Sequence, residues 1–217
     1  ANAEVGQDGA ELLRNADLAM YRAKSVGRGR HEVYEPGMYS AALERLEIES
    51  GLRHALDRDE FRLFYQPIVE LENGRTIGLE ALLRWEHPKQ GLLTPDVFLK
   101  VAEKTGLIIP IGNWVINEAC RQLRAWHIQG HTDWSMAVNL STLQFEQPSL
   151  VNTVLDCLAR HQLPPESLIL EVTETTAMNN PDESVRILTE LTNAGVKASI
   201  DDFGTGYSSL LYLKRLP

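Results

Sequence analysis

Two adjacent carboxylates, Asp201 and Asp202, close an apolar stretch and are followed at once by a glycine-containing loop over residues 203–206. Carboxylates are hard oxygen ligands, and glycine lets the backbone turn sharply and approach a ligand closely. A strand that ends in paired acids and opens into such a loop can therefore hold a metal ion. On its own, however, an Asp-Asp pair before a glycine turn is more often a solvated loop.

Three further apolar runs also end in an oxygen-bearing side chain, namely Glu80, Asn139 and Glu171. Short runs rich in Val, Ile and Leu, separated by helical segments, are typical of buried parallel strands. A carboxylate or amide inside such a run is costly to bury unless it meets a cation or a hydrogen-bond donor. The recurrence at four strand ends therefore predicts one shared site at that edge of the sheet, where ligands bind in α/β folds.

The elements between these runs read as helices. Thr94 and Pro95 predict a helix start, and Gly106 predicts its end. Alternation of strand and helix from about residue 61 onward predicts an α/β barrel or an open doubly wound sheet. No Gly-x-Gly-x-x-Gly pattern follows the first strand, so a dinucleotide-binding fold is disfavoured. Further apolar stripes at helical spacing fall within residues 115–126, 150–158 and 185–191.

Composition narrows the class of protein. The net charge of −9 and the pI near 5.2 argue against nonspecific binding to duplex nucleic acid or to an anionic membrane. Cys120 and Cys157 both fall on apolar helix faces, which predicts core residues in a reducing compartment. The longest apolar run, residues 107–111, is too short to span a bilayer. We therefore expect a cytoplasmic protein, with any membrane attachment made by segments outside this chain.

The first 60 residues differ in character from the rest. Residues 11–24 predict an amphipathic helix, and Val33 and Tyr34 are compatible with a short strand. A second helical stretch over residues 38–58 lies between two unlike segments, which makes it a candidate connector.

Residues 78–85, Gly-Leu-Glu-Ala-Leu-Leu-Arg-Trp, resemble the motif that gives EAL domains their name. EAL domains are bacterial phosphodiesterases for cyclic di-GMP. Five motifs matched in order over about 160 residues make this resemblance specific, and residues 15–28 in turn resemble the last helix of a GGDEF (diguanylate cyclase) domain. The other four motifs are Tyr-Gln-Pro-Ile at 65–68, Val-Asn-Leu-Ser at 138–141, Leu-Glu-Val-Thr-Glu at 170–174 and Asp-Asp-Phe-Gly-Thr-Gly at 201–206.

The resemblance implies an α/β fold, a modified TIM (β/α) barrel whose first strand, near residues 61–71, runs antiparallel to the rest. It implies a GGDEF–EAL tandem protein, and we expect this chain to be a piece of it that is cut within both domains. Residues 1–37 would be the C-terminal remnant of the GGDEF domain and residues 38–58 a linker helix. Residues 59–217 would be a truncated EAL domain, an incomplete barrel of about five strands where a closed one needs about eight.

The resemblance also implies a two-metal site for Mg²⁺ or Mn²⁺. Oxygen-only ligands favour these ions over zinc, which agrees with the residue types. Two ions about 4 Å apart can bind a bridging water and lower its pKa. The residues that resemble the ligands of one ion are Glu80, Asn139, Glu171 and Asp201, with Asp201 and Asp202 reaching toward a second.

Three more residues resemble functional residues of the family. Gln66 and Arg84 resemble those that contact the dinucleotide, Arg84 at a phosphate that its guanidinium can grip bidentately. Glu174 resembles the acid that steadies the loop after Asp202. Structural alternatives remain for each: Arg84 can form a surface ion pair with Glu86, Gln66 can cap a strand end, and Glu174 can be an exposed loop acid.

Three classes of function follow. The protein is an enzyme that hydrolyses cyclic di-GMP to linear pGpG, or a catalytically silent cyclic di-GMP receptor that signals through residues 38–58. The third class is a dimerisation module that binds no ligand. The intact metal-ligand set favours hydrolysis. In the family the group that activates the water lies on a later strand, so we expect the general base to be absent from this chain and the 217 residues alone to be inactive. The expected partners are cyclic di-GMP and a second copy of the EAL domain, with no role for duplex nucleic acid.

Overall fold

A computed structural model of the chain describes residues 8–26, 31–35, 37–202, 204 and 215–217. Contacts divide the chain into two compact units, one up to Arg53 and the other from His54 onward. Across the described residues, no helix combines the length and the apolar character that crossing a bilayer requires.

The first unit is helical. Helix α1 spans Gly9–Val26 and helix α2 spans Gly37–Ala55, as the amphipathic patterns predict. The short strand predicted at Val33 and Tyr34 is wrong, because residues 31–35 have no regular structure. A two-residue β segment needs a neighbouring strand to satisfy its backbone groups, and no described residue supplies one to this segment.

Helix α2 is shorter than the predicted stretch of residues 38–58. It ends at Ala55, and the chain turns over the next four residues. The N–H of Arg58 donates to the carbonyl of His54 at 3.0 Å, and Asp59 adopts a left-handed conformation with φ of 53°. Aspartate tolerates this conformation better than most residues, so the turn leads directly into the first strand.

In the second unit the described residues form a six-stranded sheet. The strands are β1 Phe61–Val69, β2 Thr76–His87, β3 Gly91–Leu93, β4 Ser135–Asn139, β5 Leu168–Thr173 and β6 Lys197–Asp201. The order of the sheet is β1-β2-β4-β5-β6, with β3 paired to β2 off this path. β1 is antiparallel to β2, whereas β2, β4, β5 and β6 run parallel. The antiparallel first strand is as predicted, and the sheet is consistent with a TIM-like barrel.

Helices fill the connections between the parallel strands. They are α3 Pro95–Thr105, α4 Ile108–Ile128, α5 Thr142–Phe145, α6 Leu150–His161, α7 Glu174–Asn179 and α8 Pro181–Asn193. Gly106 ends α3 in a left-handed conformation, φ 74°, as its position predicts. Pro110 does not interrupt α4, because it lies in the first turn, where a helix needs no backbone N–H from it.

The core lies between the sheet and these helices. Phe61 and Trp85 from the first two strands meet Phe98 of α3, with ring centroids 6.1 and 5.7 Å from the Phe98 ring. Cys120 and Cys157 are buried and free, which confirms them as core residues. Burial raises the pKa of Cys120 to about 12, so its thiol stays protonated and is no nucleophile.

Strand β2 is longer than its apolar run suggests. The predicted run stops at Glu80, but the strand continues to His87. Trp85 is fully buried on one face of the strand, while Glu80 and Arg84 share the other. The extension therefore places Arg84 four residues beyond Glu80 on the same side of the sheet.

Candidate metal and phosphodiester site

The strand register brings the four predicted ligands of one ion together. Asn139 of β4 is paired directly with Glu171 of β5. Glu80 is paired with the residue two places before Asn139, and Asp201 with the residue two places after Glu171. Residues two apart on a strand share a face, and paired residues of parallel neighbours do too. All four side chains therefore stand on one face, near the carboxyl edge of the parallel strands.

A direct contact joins two of these residues. The Nδ2 of Asn139 donates a hydrogen bond of 2.8 Å to the Oε1 of Glu80, between side chains 59 positions apart in the sequence. The amide carbonyl of Asn139 can then serve as an oxygen ligand beside the carboxylates. Within the described part of the chain, no three Asp, Glu, His or Cys side chains are grouped so that they could hold an ion by themselves. The structure thus shows the candidate ligands on one face of the sheet, without a formed metal site among the described residues.

The electrostatics of the edge favour a cation. Burial, and then the charges of Glu80 and Asp201, raise the pKa of Glu171 above its ordinary value of 4.5. Desolvation and neighbouring like charges both disfavour a carboxylate anion. The three acids therefore crowd one another, and a divalent cation among them would relieve the repulsion. The candidate ligand atoms of these side chains are all oxygens, which fits Mg²⁺ or Mn²⁺.

The chain turns immediately after the fourth ligand. Asp202 has a left-handed conformation, φ 54°, and its N–H donates to the Oδ1 of Asp201 at 2.8 Å. Two residues later, the N–H of Gly204 donates to the Oε2 of Glu174 at 2.8 Å. Glu174 is 3% exposed, so it is a buried acid and not an exposed loop residue. The other residues of the predicted loop, 203, 205 and 206, lie outside the described residues.

Arg84 is not paired with Glu86. The carboxylate of Glu86 contacts the guanidinium of Arg62 instead, at 2.9 Å. The Nη1 of Arg84 donates to the carbonyl of Leu83 at 2.8 Å, and its guanidinium carbon lies 5.6 Å from the centre of the Phe64 ring. The predicted alternative, a surface Arg84–Glu86 ion pair, is therefore not formed.

Gln66 lies beside one of the candidate metal ligands. In the antiparallel β1–β2 pair it is directly opposite Glu80, and it is exposed. Opposed residues of an antiparallel pair stand on the same face. Gln66, Glu80 and Arg84 therefore face the same side of the sheet.

A cavity of about 380 Å³ adjoins the edge. Asn139, Asp201 and Asp202 line it together with apolar residues that include Leu99 and Ile111. Its volume is within the range of small-molecule sites. The described lining does not include Gln66 or Arg84, so these two predicted substrate contacts belong to the open face of the sheet and not to this cavity.

Sequence reasoning assigned no role to Ser141 and Thr173, which cap the short helices after β4 and β5. The Oγ of Ser141 accepts from the N–H of Gln144 at 3.2 Å and caps α5. The Oγ1 of Thr173 accepts from the N–H of Thr176 at 3.3 Å and caps α7. Both pairs have the spacing of a side chain that caps the amide three residues on. That spacing was the available signal, although both helices are too short to show periodicity.

The chain matches a known family. The family model described as "EAL domain" matches residues 49–217. The match takes in all six described strands and each of the predicted site residues.

The matched relatives are much longer proteins. The chain is 58% identical over 212 residues to the bifunctional diguanylate cyclase/cyclic di-GMP phosphodiesterase MucR of Pseudomonas aeruginosa, covering 98% of the chain and 31% of that protein. It is 36% identical over 214 residues to the cyclic di-GMP phosphodiesterase PdeR of Escherichia coli K12, covering 99% of the chain and 32% of that protein. The chain thus spans about a third of the length of these curated relatives.

Solved structures are similar as well. The PaMucR phosphodiesterase in complex with c-di-GMP is 60% identical with a TM-score of 0.77, over 79% of this chain and 69% of that one. The FimX EAL domain of Pseudomonas aeruginosa bound to c-di-GMP is 29% identical with a TM-score of 0.69, over 78% of this chain and 67% of that one. Both similarities extend over most of the described second unit.

Proposed function

The chain belongs to the EAL domain family, and from this we propose that the protein hydrolyses cyclic di-GMP to linear pGpG with Mg²⁺ or Mn²⁺. The observation that carries the proposal is the convergence of Glu80, Asn139, Glu171 and Asp201 on one face at the carboxyl edge. The names of the relatives support the substrate, because MucR and PdeR are both called cyclic di-GMP phosphodiesterases.

The four converging residues would hold one ion, and Asp201 together with Asp202 would reach a second. Two bound cations would supply Lewis acidity at a phosphate oxygen and a lowered pKa for a water molecule. The hydrogen bond from Asn139 to Glu80 sets the relative orientation of two of the ligands. The left-handed backbone at Asp202 would let its carboxylate point in a different direction from that of Asp201.

Arg84 and Gln66 would bind the dinucleotide. Because Glu86 is already paired with Arg62, the guanidinium of Arg84 keeps its charge available for a phosphate. Its planar fork matches two phosphate oxygens. Glu174 would hold the loop after Asp202 through its bond to the N–H of Gly204, and so fix the direction of the Asp202 side chain.

The test uses the purified full-length protein with cyclic di-GMP and Mg²⁺ or Mn²⁺, and chromatography to follow pGpG. We expect turnover that EDTA abolishes and that Asp201→Asn lowers by more than about 100-fold, because a neutral amide replaces a charged metal ligand. Asp156→Asn removes an exposed carboxylate on α6 and is the matched control, with turnover unchanged. Turnover by Asp201→Asn close to that of the wild type would refute the metal assignment.

A binding measurement beside the turnover assay distinguishes an enzyme from a catalytically silent receptor. Calorimetry that shows binding of cyclic di-GMP, combined with no pGpG in the presence of either metal, would assign the protein to ligand sensing. If the protein neither binds nor hydrolyses cyclic di-GMP, it is neither a phosphodiesterase nor a receptor for this nucleotide.

We also propose that residues 1–37 are the end of a GGDEF domain and that residues 38–58 form a connector. The division of the compact units between Arg53 and His54 supports a boundary in this region, as does the start of the family match at residue 49. The alignment with MucR, a protein named for both activities, covers 98% of the chain. Limited proteolysis of the full-length protein should cut near this boundary before it cuts within residues 59–202; first cleavage inside the sheet would contradict the division.

A further inference from the structure

Three threonine hydroxyls join the loop after β4 to the loop after β5. The Oγ1 of Thr176 lies 2.7 Å from the Oγ1 of Thr142 and 3.0 Å from the Oγ1 of Thr173. Thr142 is the first residue of α5, and Thr173 is the last residue of β5. Thr176 is 3% exposed, so water does not compete for its hydroxyl.

Thr176 is the member of the group that contacts both of the others. A hydroxyl has one hydrogen and two acceptor lone pairs, so Thr176 either donates to one neighbour and accepts from the other, or accepts from both. In each case its hydroxyl takes part in both links. Replacing the hydroxyl of Thr176 therefore removes both links at once, whereas a change at either end removes one.

Both outer members of the threonine group, Thr142 and Thr173, are near a predicted site residue in the sequence. On the β4 side, the N–H of Leu140, the residue after Asn139, donates to the carbonyl of Glu171 at 2.8 Å. On the β5 side, Thr173 directly precedes Glu174, whose carboxylate accepts from the N–H of Gly204. The three hydroxyls thus join the segment that follows Asn139 to the segment that follows Glu171 and contains Glu174.

We propose that Thr176 is a positioning residue, whose hydroxyl fixes the loops after β4 and β5 relative to each other and thereby places Asn139 and Glu174. The inference rests on the proposed function, because the consequence of the placement is read at the metal site. The backbone N–H of Thr176 already serves to cap α7 through Thr173. A role of the residue in capping alone would not need the hydroxyl, which makes the two roles separable.

The first test is Thr176→Val in the full-length protein. Valine keeps the shape and the backbone N–H but removes the hydroxyl. We expect the Mn²⁺ dissociation constant to rise about 10-fold and kcat to fall by a similar factor, as when partners that orient metal ligands are removed. The KM for cyclic di-GMP should stay within about twofold, because the change removes no substrate contact.

Two further variants complete the design. Thr176→Ser restores the hydroxyl without the methyl group and should bring metal affinity and kcat back to within about twofold of the wild type. Thr192→Val is the matched control, because its hydroxyl donates only within α8, to the carbonyl of Leu188 at 2.8 Å and to that of Thr189 at 3.2 Å. If Thr176→Val does not fold, Thr142→Val removes one link at a half-buried position and is read in the same way.

Hydrogen exchange provides a readout that does not depend on activity. The amides of Leu140 and Gly204 should exchange faster in Thr176→Val than in the wild type, and at the wild-type rate in Thr192→Val. Unchanged exchange at both amides, or a serine variant that fails to restore protection, would overturn the positioning role. A wild-type protein that neither binds Mn²⁺ nor hydrolyses cyclic di-GMP would refute the proposed function instead, and the exchange rates would still decide the role of Thr176.

Discussion

The side-chain amide of Asn139 donates a hydrogen bond to the carboxylate of Glu80 at 2.8 Å, across the β2–β4 pair. An amide at this position supplies a donor where a fourth acid would add repulsion. We therefore expect Asn139→Asp to lower the free energy of unfolding of the metal-free protein by about 1–3 kcal/mol at neutral pH, since it removes a hydrogen bond to a charged group and adds a like charge.

Urea unfolding in EDTA and in Mn²⁺ measures this effect. The loss should be smaller in Mn²⁺, because the added carboxylate can then serve as a ligand. Asn152→Asp, an exposed change on α6, is the matched control. Equal unfolding midpoints for Asn139→Asp and the wild type in EDTA would contradict the crowding of acids at this edge.

The raised pKa of Glu171 leads us to expect that the stability of the metal-free protein depends on pH. Its pKa in the folded protein is raised above 4.5, first by burial and then by Glu80 and Asp201. Between the unfolded and folded pKa values the native state binds more protons than the unfolded chain. The free energy of unfolding of the metal-free protein should therefore fall as the pH rises through that interval, and Glu171→Gln should remove this contribution.

The measurement is a series of urea unfolding curves in EDTA across mildly acidic to neutral pH. Glu166→Gln, an exposed acid for which no role at the site is proposed, serves as the comparison and should leave the slope unchanged. A Glu171→Gln protein with the pH slope of the wild type would show that this carboxyl is not the one that burial and its neighbours disfavour.

Arg84 and Arg62 make a matched pair for substrate binding. Arg84→Ala should weaken cyclic di-GMP binding by roughly 10–100-fold, the effect of losing a charged hydrogen-bond donor, and leave Mn²⁺ affinity unchanged. Arg62→Ala breaks the existing pair with Glu86 and should leave nucleotide affinity nearly unaltered, since exposed ion pairs contribute little. Calorimetry, with EDTA present to stop hydrolysis, measures the affinity of each variant for cyclic di-GMP. Equal affinities for the two variants would remove Arg84 from the binding site.

Close packing between α4 and α5 leaves no room for a side chain at Gly112. A Cβ at this buried position of α4 would overlap the side-chain amide of Gln144, which is itself 2% exposed. We expect Gly112→Ala to cost about 1–3 kcal/mol of unfolding free energy through overpacking, part of it recovered in Gly112→Ala/Gln144→Ala. Gly37→Ala in α2 meets nothing within 4 Å and is the control. A Gly112→Ala protein as stable as the wild type would mean that Gln144 moves freely.

The sequence predicted the placement of the candidate ligands better than it predicted the residues that support them. Buried parallel strands appear as apolar runs, so the oxygen-bearing side chains that interrupt them, such as Asn139 and Glu171, stand out in the sequence. The continuation of β2 toward Arg84 was missed because its residues alternate between a buried and a more polar face, which hides the strand from a search for apolar runs.

The supporting helices were missed for a different reason. Helices α5 and α7 are 4 and 6 residues long, too short for a helical period to be visible. The link between Thr142 and Thr176 joins side chains 34 positions apart. It depends on the orientation of two side chains, and local sequence patterns do not specify that.

The length of β2 sets a distance as well as a direction. Glu80 and Arg84 are separated by four residues of extended chain, which corresponds to about 13 Å between their Cα atoms. The two side chains therefore start from fixed points on one strand and on one face of the sheet. Under the proposed function, β2 would hold a metal ligand and a phosphate-binding group at a set spacing on one rigid element.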